Sequence, residues 1–464
     1  MAERHVTRER KGALAALMGM VTWGGLLGVA HADCRPDQGF PYPALPFVGI
    51  HGNARNDSTV PCPLVRHQQQ AWYALAGQLV AQPVILSPAA DTVYVTASPS
   101  EPQQAFVAAL SVADGHILWQ HPYPNAHQGS VEVDDQGMLY FTSSLGVISL
   151  MPDGQQRWLV PFAPGESALG LHFTPSGDVV TVTTMGRVLR IGRDGTVRGV
   201  LDLVAHYGLP APRPSMDNRA SGVLTLIGLN GNFTQNTLAV FGETAYVVGK
   251  GVDAVGALYT IGLDEDGGLS PLGRLPMKNS ATSPAVSKQG TVALGNGVMV
   301  RPALLRVPTE SCTKPEICTL RGLKSISLGL PGLLGSPAIT PDDTIIYWSS
   351  ELLPRFGRRR LDVVSDDVQG QRSGYRLPPG TLVSSPVTVL DDGVVFTMNS
   401  LIDESAQLVL AQRPDRFQGG EPILETHPIP GASLVSVAPG PDGSLYVGMM
   451  QGGKGVVRFK PDPG

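Results

Sequence analysis

Apolar and polar positions alternate in short runs along most of the chain, and each run ends within a few residues at Gly, Asp, Asn or Pro. VYVT (93–96), LYFT (139–142), AYVV (245–248) and LYVG (445–448) are four of these runs. A two-residue period places successive side chains on opposite faces, so the runs predict strands with one side turned into a sheet–sheet interface. A strand–turn–strand unit built on them recurs eight times. Its copies are ILSPAADTVYVT (85–96), SVEVDDQGMLYFT (130–142), LGLHFTPSGDVVTV (169–182), TLAVFGETAYVVG (237–249), TSPAVSKQGTVAL (282–294), GSPAITPDDTIIYW (335–348), SSPVTVLDDGVVFTM (384–398) and LVSVAPGPDGSLYVG (434–448).

A second unit follows the early copies. AALSVADGHILWQ (108–120) has an apolar run, an Asp114-Gly115 turn, and Trp119 four residues past the glycine. VISLMPDGQQRWLV (147–160) repeats this order around Asp153-Gly154 and Trp158. RVLRIGRDGTVRGV (187–200) repeats it around Asp194-Gly195, with Val200 near the tryptophan's place. A period near 40 residues with turn chemistry at fixed offsets predicts stacked four-stranded sheets. A single such sheet cannot bury both faces, so the units stack radially and ring closure removes the exposed edges. The expected fold is all-β, an eight-bladed β-propeller of four-stranded antiparallel blades closed by N- and C-terminal strands. Seven blades remain open if the weak fifth unit is misread.

The eighth copy ends in GKGVVRFKPDPG, which supplies a third strand and no fourth. AWYALAGQL precedes the first copy, and Trp72 stands 47 residues before Trp119, about one repeat earlier. Residues 71–80 are therefore expected to form the outer strand of the last blade. A short helix in QQQAWYALAGQL is the alternative, because Ala, Leu and Gln favour helix.

Composition adds the compartment. The chain has 464 residues, 16% charged, with 55 Gly and 40 Pro, which suits an exported all-β protein better than a helical cytosolic one. Arg4, Arg8, Arg10 and Lys11 precede an apolar run that ends at Ala30-His31-Ala32. This order predicts a signal peptide at 1–32, cleaved after Ala32, and a periplasmic or secreted product with no membrane span; a retained anchor is the alternative. Asp33 before Cys34 is unsuited to lipid attachment. The expected organisation is 1–32 signal, 33–70 disulfide-pinned extension and 71–464 propeller. Without the signal the chain keeps 30 basic and 37 acidic side chains, a net charge of −7 that speaks against nucleic acid and anionic membrane as partners. Arg355 and Arg358–Arg360 read as a solvated loop. Cys34, Cys62, Cys312 and Cys318 suggest two disulfides, and proximity favours Cys34–Cys62 and Cys312–Cys318. No His stands at ligand spacing around either pair, which disfavours a metal.

The strings LSPAADTVYV, VAALSVADGHILW and VISLMPDGQQRW resemble the PQQ-like, or quinoprotein-type, β-propeller repeat, and FVGIHGNARNDSTVPC (47–62) is similar to the lead-in of such exported proteins. The resemblance spans about 47–464 and implies the fold, which is also related to WD40/YVTN-like propellers. It implies two functional kinds. One binds pyrroloquinoline quinone (PQQ) and Ca2+ and oxidises alcohols or sugars. The other has no cofactor and works as a binding or scaffold propeller, as in the outer-membrane β-barrel assembly machinery. The alcohol-oxidising kind uses adjacent cysteines over the quinone and a Glu, an Asn and an Asp around calcium. No two cysteines are adjacent here, and no motif carries those ligands onto numbered positions. No haem-attachment motif is present either.

Aligning the copies puts His127, Gln128, Gln235, Asn236, Thr282, Ser384 and Ser385 near the entrances to inner strands, and His172 within one. Such a ring suits a small polar ligand or cation, or equally hydrated strand ends. The insertion 206–232 offers His206, Arg213, Asp217, Asn218 and Arg219 as loop candidates, capping the channel or decorating the surface. The Ser-Pro pairs at 87, 283, 336 and 385 read as structural, with no G-x-S-x-G elbow beside them. The Asp of each Asp-Gly pair reads as a turn-former. The expectation is a monomeric, non-catalytic propeller with no cofactor that binds a protein partner or a small polar ligand. The alternative is a divergent PQQ- and Ca2+-dependent periplasmic dehydrogenase.

Overall fold

Each predicted strand–turn–strand unit folds as the inner hairpin of one antiparallel sheet. The computed structural model describes residues 33–99, 104–126, 129–212, 231–234, 236–251, 256–278, 280, 282–296, 303–308, 324–327, 332–334, 336–351, 362–400, 405–450 and 455–463. The expected signal segment 1–32 lies outside them, as do Arg355 and Arg358–Arg360. The sheets are blade 1 (85–122), blade 2 (132–161), blade 3 (168–202), blade 4 (239–277), blade 5 (285–327), blade 6 (332–375), blade 7 (381–429) and blade 8 (438–461 with 68–74). The fifth unit makes a full four-stranded sheet, so the blades number eight.

Gln68–Ala74 closes the ring by pairing antiparallel with Gly455–Pro461, Trp72 opposite Arg458. The segment is strand, not helix, and starts a few residues before the expected 71–80. Ladder bonds to Gly455–Pro461 and the burial of Trp72 outweigh the small helix preference of Ala, Leu and Gln.

Middle strands such as Thr92–Ala97 and Val179–Thr183 are buried on nearly every residue, whereas outer strands such as Val197–Asp202 alternate between exposed and half-buried. Each blade is covered on both faces by its neighbours, so one-sided burial survives only at the rim. The Asp-Gly glycines sit at φ +77° (Gly115), +87° (Gly154) and +86° (Gly195), the left-handed region that glycine adopts freely. Asp114, Asp153 and Asp194 each accept the backbone N–H two residues ahead, as turn-formers do.

The absence of Cβ at these glycines also seats the tryptophans. A Cβ on Gly115 would stand 2.8 Å from the Trp72 ring of blade 8, and one on Gly195 2.8 Å from the Trp158 ring of blade 2. Trp72, Trp119 and Trp158 donate their indole N–H to Val112 O, Pro152 O and Arg193 O, each on the following blade. In blade 3 it is Gly199, not Val200, that holds the tryptophan register, opposite Arg190. The tie there comes from Arg190 one strand inward, 1% exposed, which pairs with Asp178 and donates to Asp264 O of blade 4. Arg306 does the same between blades 5 and 6, donating to Asp343 O and Asp366 O.

Candidate functional site

The inner strands leave a backbone edge along the axis, and that edge needs partners. The residues before the first blade supply them. This tail runs over one end of the ring, where Cys34 N donates to Pro441 O of blade 8, Asp135 N of blade 2 to Pro41 O, and Asp391 N of blade 7 to Cys62 O. Between these contacts it dips into the channel and turns at Gly49–Gly52, closed by bonds of 2.9 and 3.0 Å between Val48, Gly49 and Gly52. Gly52 has φ +95°, a backbone that favours glycine at the tip. On the way out, the carbonyls of Ala54, Arg55, Asp57 and Ser58 accept the N–H groups of Val240, Val286, Ile339 and Val389. Those are the second inner-strand residues of blades 4, 5, 6 and 7 in order. Leu45, Phe47, Val48 and Val60 are at most 2% exposed. The tail is an axial plug. The Cys34–Cys62 disulfide, with a Cα–Cα distance of 5.9 Å, pins its two ends as proximity predicted. Cys312 and Cys318 lie outside the described residues.

One polar cluster joins plug and propeller. Where each inner strand pairs with its neighbour, blades 2 and 3 carry Glu132 and His172 while the other blades carry Ile, Thr or Ala. His172 Nδ1 lies 2.5 Å from Glu132 Oε1, and both side chains are fully buried. The tail brackets them: Tyr42 Oη donates to Glu132 Oε2 at 2.8 Å, and Asn56 Oδ1 lies 2.8 Å from His172 Nε2. Gly49 lacks a Cβ where one would stand 2.8 Å from Glu132 Oε1. Burial pushes the Glu132 carboxyl up, opposed by His172. Burial, with the Glu132 charge, raises the Tyr42 phenol well above its usual range. His51, at the tip, bridges the channel from Ser283 Oγ of blade 5 at 3.0 Å to Ser436 Oγ beside blade 8 at 3.4 Å. Burial, and to a lesser extent the nearby His172, lowers its pKa to about 3, so it is neutral.

The residues expected at the rim divide. His172 belongs to this cluster. Asn236, Thr282 and Ser385 precede their inner strands, at the opposite end of the channel from the turns that carry the tail. Thr282 Oγ1 accepts Gly295 N, Ser385 Oγ accepts Thr397 N, and Asn236 Oδ1 accepts Thr237 N, so each satisfies local backbone. Ser384 shares a bond with Thr397 Oγ1. His206 is exposed on the single-turn helix Leu203–Tyr207 and stacks edge-on against Tyr207. His127, Gln128, Gln235, Arg213, Asp217, Asn218 and Arg219 lie outside the described residues. The Ser-Pro pairs do not share one blade position. Ser283 and Ser336 precede inner strands by two residues and Ser385 by three, whereas Ser87 follows its strand and accepts Asp91 N and Thr92 N. Tyr42, His51, Asn56 and Glu132 are absent from the sequence-based candidates. The cluster GIHGNARND between two apolar runs is the signal that marks two of them, His51 and Asn56, since a solvated linker has no need of apolar flanks.

A quinone with calcium does not fit these residues. The tail fills the axis, the Glu132 oxygens are taken by Tyr42 and His172, and the Asp57 oxygens by Asn53, Arg55 and Thr59 N. Among the described residues no group of three or more His, Cys, Asp or Glu could hold a metal ion. Among them too, no helix is long and apolar enough to cross a membrane.

No protein family and no curated protein matches the sequence. Solved structures do. BamB from Moraxella catarrhalis matches at 14% identity and a TM-score of 0.51 over 84% of this chain and 99% of that one. A europium-containing methanol dehydrogenase matches at 12% and 0.54 over 86% and 88%. The C-terminal WD40 domain of Sif2 matches at 10% and 0.56 over 87% and 100%. At these identities the likeness is one of fold. It bears out the β-propeller that the repeat suggested.

Proposed function

We propose that the chain is an exported, non-catalytic propeller, cleaved after Ala32, that binds a protein partner or a small polar ligand and acts as a scaffold. The observation that carries this reading is the plug, which occupies the axis with the chain's own Leu45–Ser58, so that recognition falls to loops around the ring rather than to the axis. Deep, water-free axial chemistry has no room beside it, whereas rim loops on a rigid ring suit recognition. The Cys34–Cys62 disulfide is compatible with an oxidising compartment. On this reading His127, Gln128 and Asn236, with His206, Arg213, Asp217 and Arg219 of the insertion, contribute to the binding face, while the buried Thr282 and Ser385 hold the strand ends beneath it.

Two measurements test it. Purified protein mixed with PQQ and Ca2+ is expected to reduce no dye on alcohols or sugars; turnover would overturn the non-catalytic reading and restore the dehydrogenase. A photoreactive residue at position 206 is expected to yield a discrete cross-linked product in producing cells, and the same probe at 35, on the tail side, none. Equal labelling from both positions would refute the assignment of the face.

A further inference from the structure

Three ionisable groups hold the tail in the channel, and the binding reading uses none of them as such: Glu132 and His172 on the propeller, and His51 on the tail. Their hydrogen bonds count protons. Asn56 Nδ2 donates to Leu238 O and Pro284 O, so Oδ1 faces His172 and Nε2 carries a proton. Phe173 N donates to Tyr42 Oη, so the Tyr42 hydroxyl proton goes to Glu132 Oε2. One shared proton remains on the line from His172 Nδ1 to Glu132 Oε1. Its loss would set two lone pairs face to face and leave an unpaired buried negative charge.

We propose that the tail is a proton-gated plug: residues 47–58 swing out of the channel about their disulfide-pinned ends, least often near pH 6.5 and more often on either side of it. This does not rest on the binding reading.

The acid limb belongs to His51. Facing it are the neutral hydroxyls of Ser283 and Ser436 and, at longer range, His172, so no counter-charge accepts a second cation there. Once the tip is out in water, His51 takes a proton as an ordinary histidine does near pH 6.5. The alkaline limb belongs to the pair. Facing it from the tail are Tyr42, Gly49 and Asn56, with Arg55 and Asp57 already bound to each other. In the closed state loss of the shared proton would strand the Glu132 charge in a buried site, whereas a hydrated imidazole releases its proton near pH 6.5 at no such cost. Between pH 4.5 and 6.5 an opened Glu⁻ and His⁺ hold that same single proton, so the pair adds no slope. Together the two limbs raise the open fraction by about thirtyfold at pH 4.5 and at pH 8.5 relative to pH 6.5.

Hydrogen exchange of the full chain, read by mass spectrometry and corrected for intrinsic rates, tests this. Peptides covering 47–58 are expected to exchange about thirtyfold faster at pH 4.5 and 8.5 than at pH 6.5, with middle strands of the blades unchanged. His51→Gln is expected to flatten the acid limb alone and Glu132→Gln the alkaline limb alone. The proposal falls if the wild-type segment shows no pH dependence, if it exchanges only together with the blades, or if H51Q leaves the acid limb intact. Should E132Q not fold, the wild type and H51Q still decide.

Discussion

The disulfide and the plug form one loop, and breaking the bond has a calculable cost. Cys34 and Cys62 are 28 residues apart and enclose every residue that enters the channel. Closing a loop of that length in the unfolded chain removes entropy equivalent to about 3.5 kcal/mol at 25 °C. The folded side changes little, because the plug's backbone bonds to blades 4 to 7 and its buried Leu45, Phe47 and Val48 remain. These apolar side chains contribute about 2 kcal/mol each, more in sum than the disulfide, so reduction is expected to weaken the fold without expelling the tail. For a chain of this length unfolding entropy is about 1 kcal/mol/K, so the Cys34→Ser/Cys62→Ser variant should melt about 4 °C lower. The assay is paired thermal and denaturant unfolding of wild type and variant, each with and without a dithiol. Wild type with dithiol should fall at least to the level of the variant, and any further drop in the variant reports the expected Cys312–Cys318 bond. A variant within about 0.5 kcal/mol of wild type, with unchanged denaturant slope, would refute the loop-closure account.

Three further changes probe how the ring is tied. Trp72→Ala removes a 7%-exposed ring and its bond to Val112 O from the closing strand, and should cost about 3–5 kcal/mol in denaturant unfolding, more than Trp119→Ala at its half-buried site. Gly115→Ala meets the Trp72 ring at 2.8 Å and should cost clearly more than Gly39→Ala, which has a similar φ of +80° but open space and so only the backbone term of about 1 kcal/mol. Equal melting shifts for the two glycine variants would refute the tryptophan seat. Arg190→Met strips the blade 3–blade 4 tie and leaves Asp178 without its partner, and should destabilise by about 3–5 kcal/mol, read by urea midpoint.

The chain order of short alternating runs and Asp-Gly turns determined the repeat, the blade count to within one, and the closing segment, because turn chemistry and a two-residue period are local properties. The same locality explains what the local pattern left open. Trp72 closes the ring as a strand because its partner is Arg458, at the other end of the chain, and helix preference does not see that partner. Arg190 stands in for a missing tryptophan from a different strand, so no alignment of Asp-Gly units finds it. The plug is the largest such case. FVGIHGNARNDSTV has no period of its own, since its shape follows the inner edges of four blades that are contiguous only after folding. His172 was legible as an inner-strand residue, but its partners Glu132, Tyr42 and Asn56 lie 40, 130 and 116 residues away. Local sequence thus set the blades, and the tertiary structure alone decided what fills their centre: a burial-driven pairing of strand edges with a tail that must satisfy them.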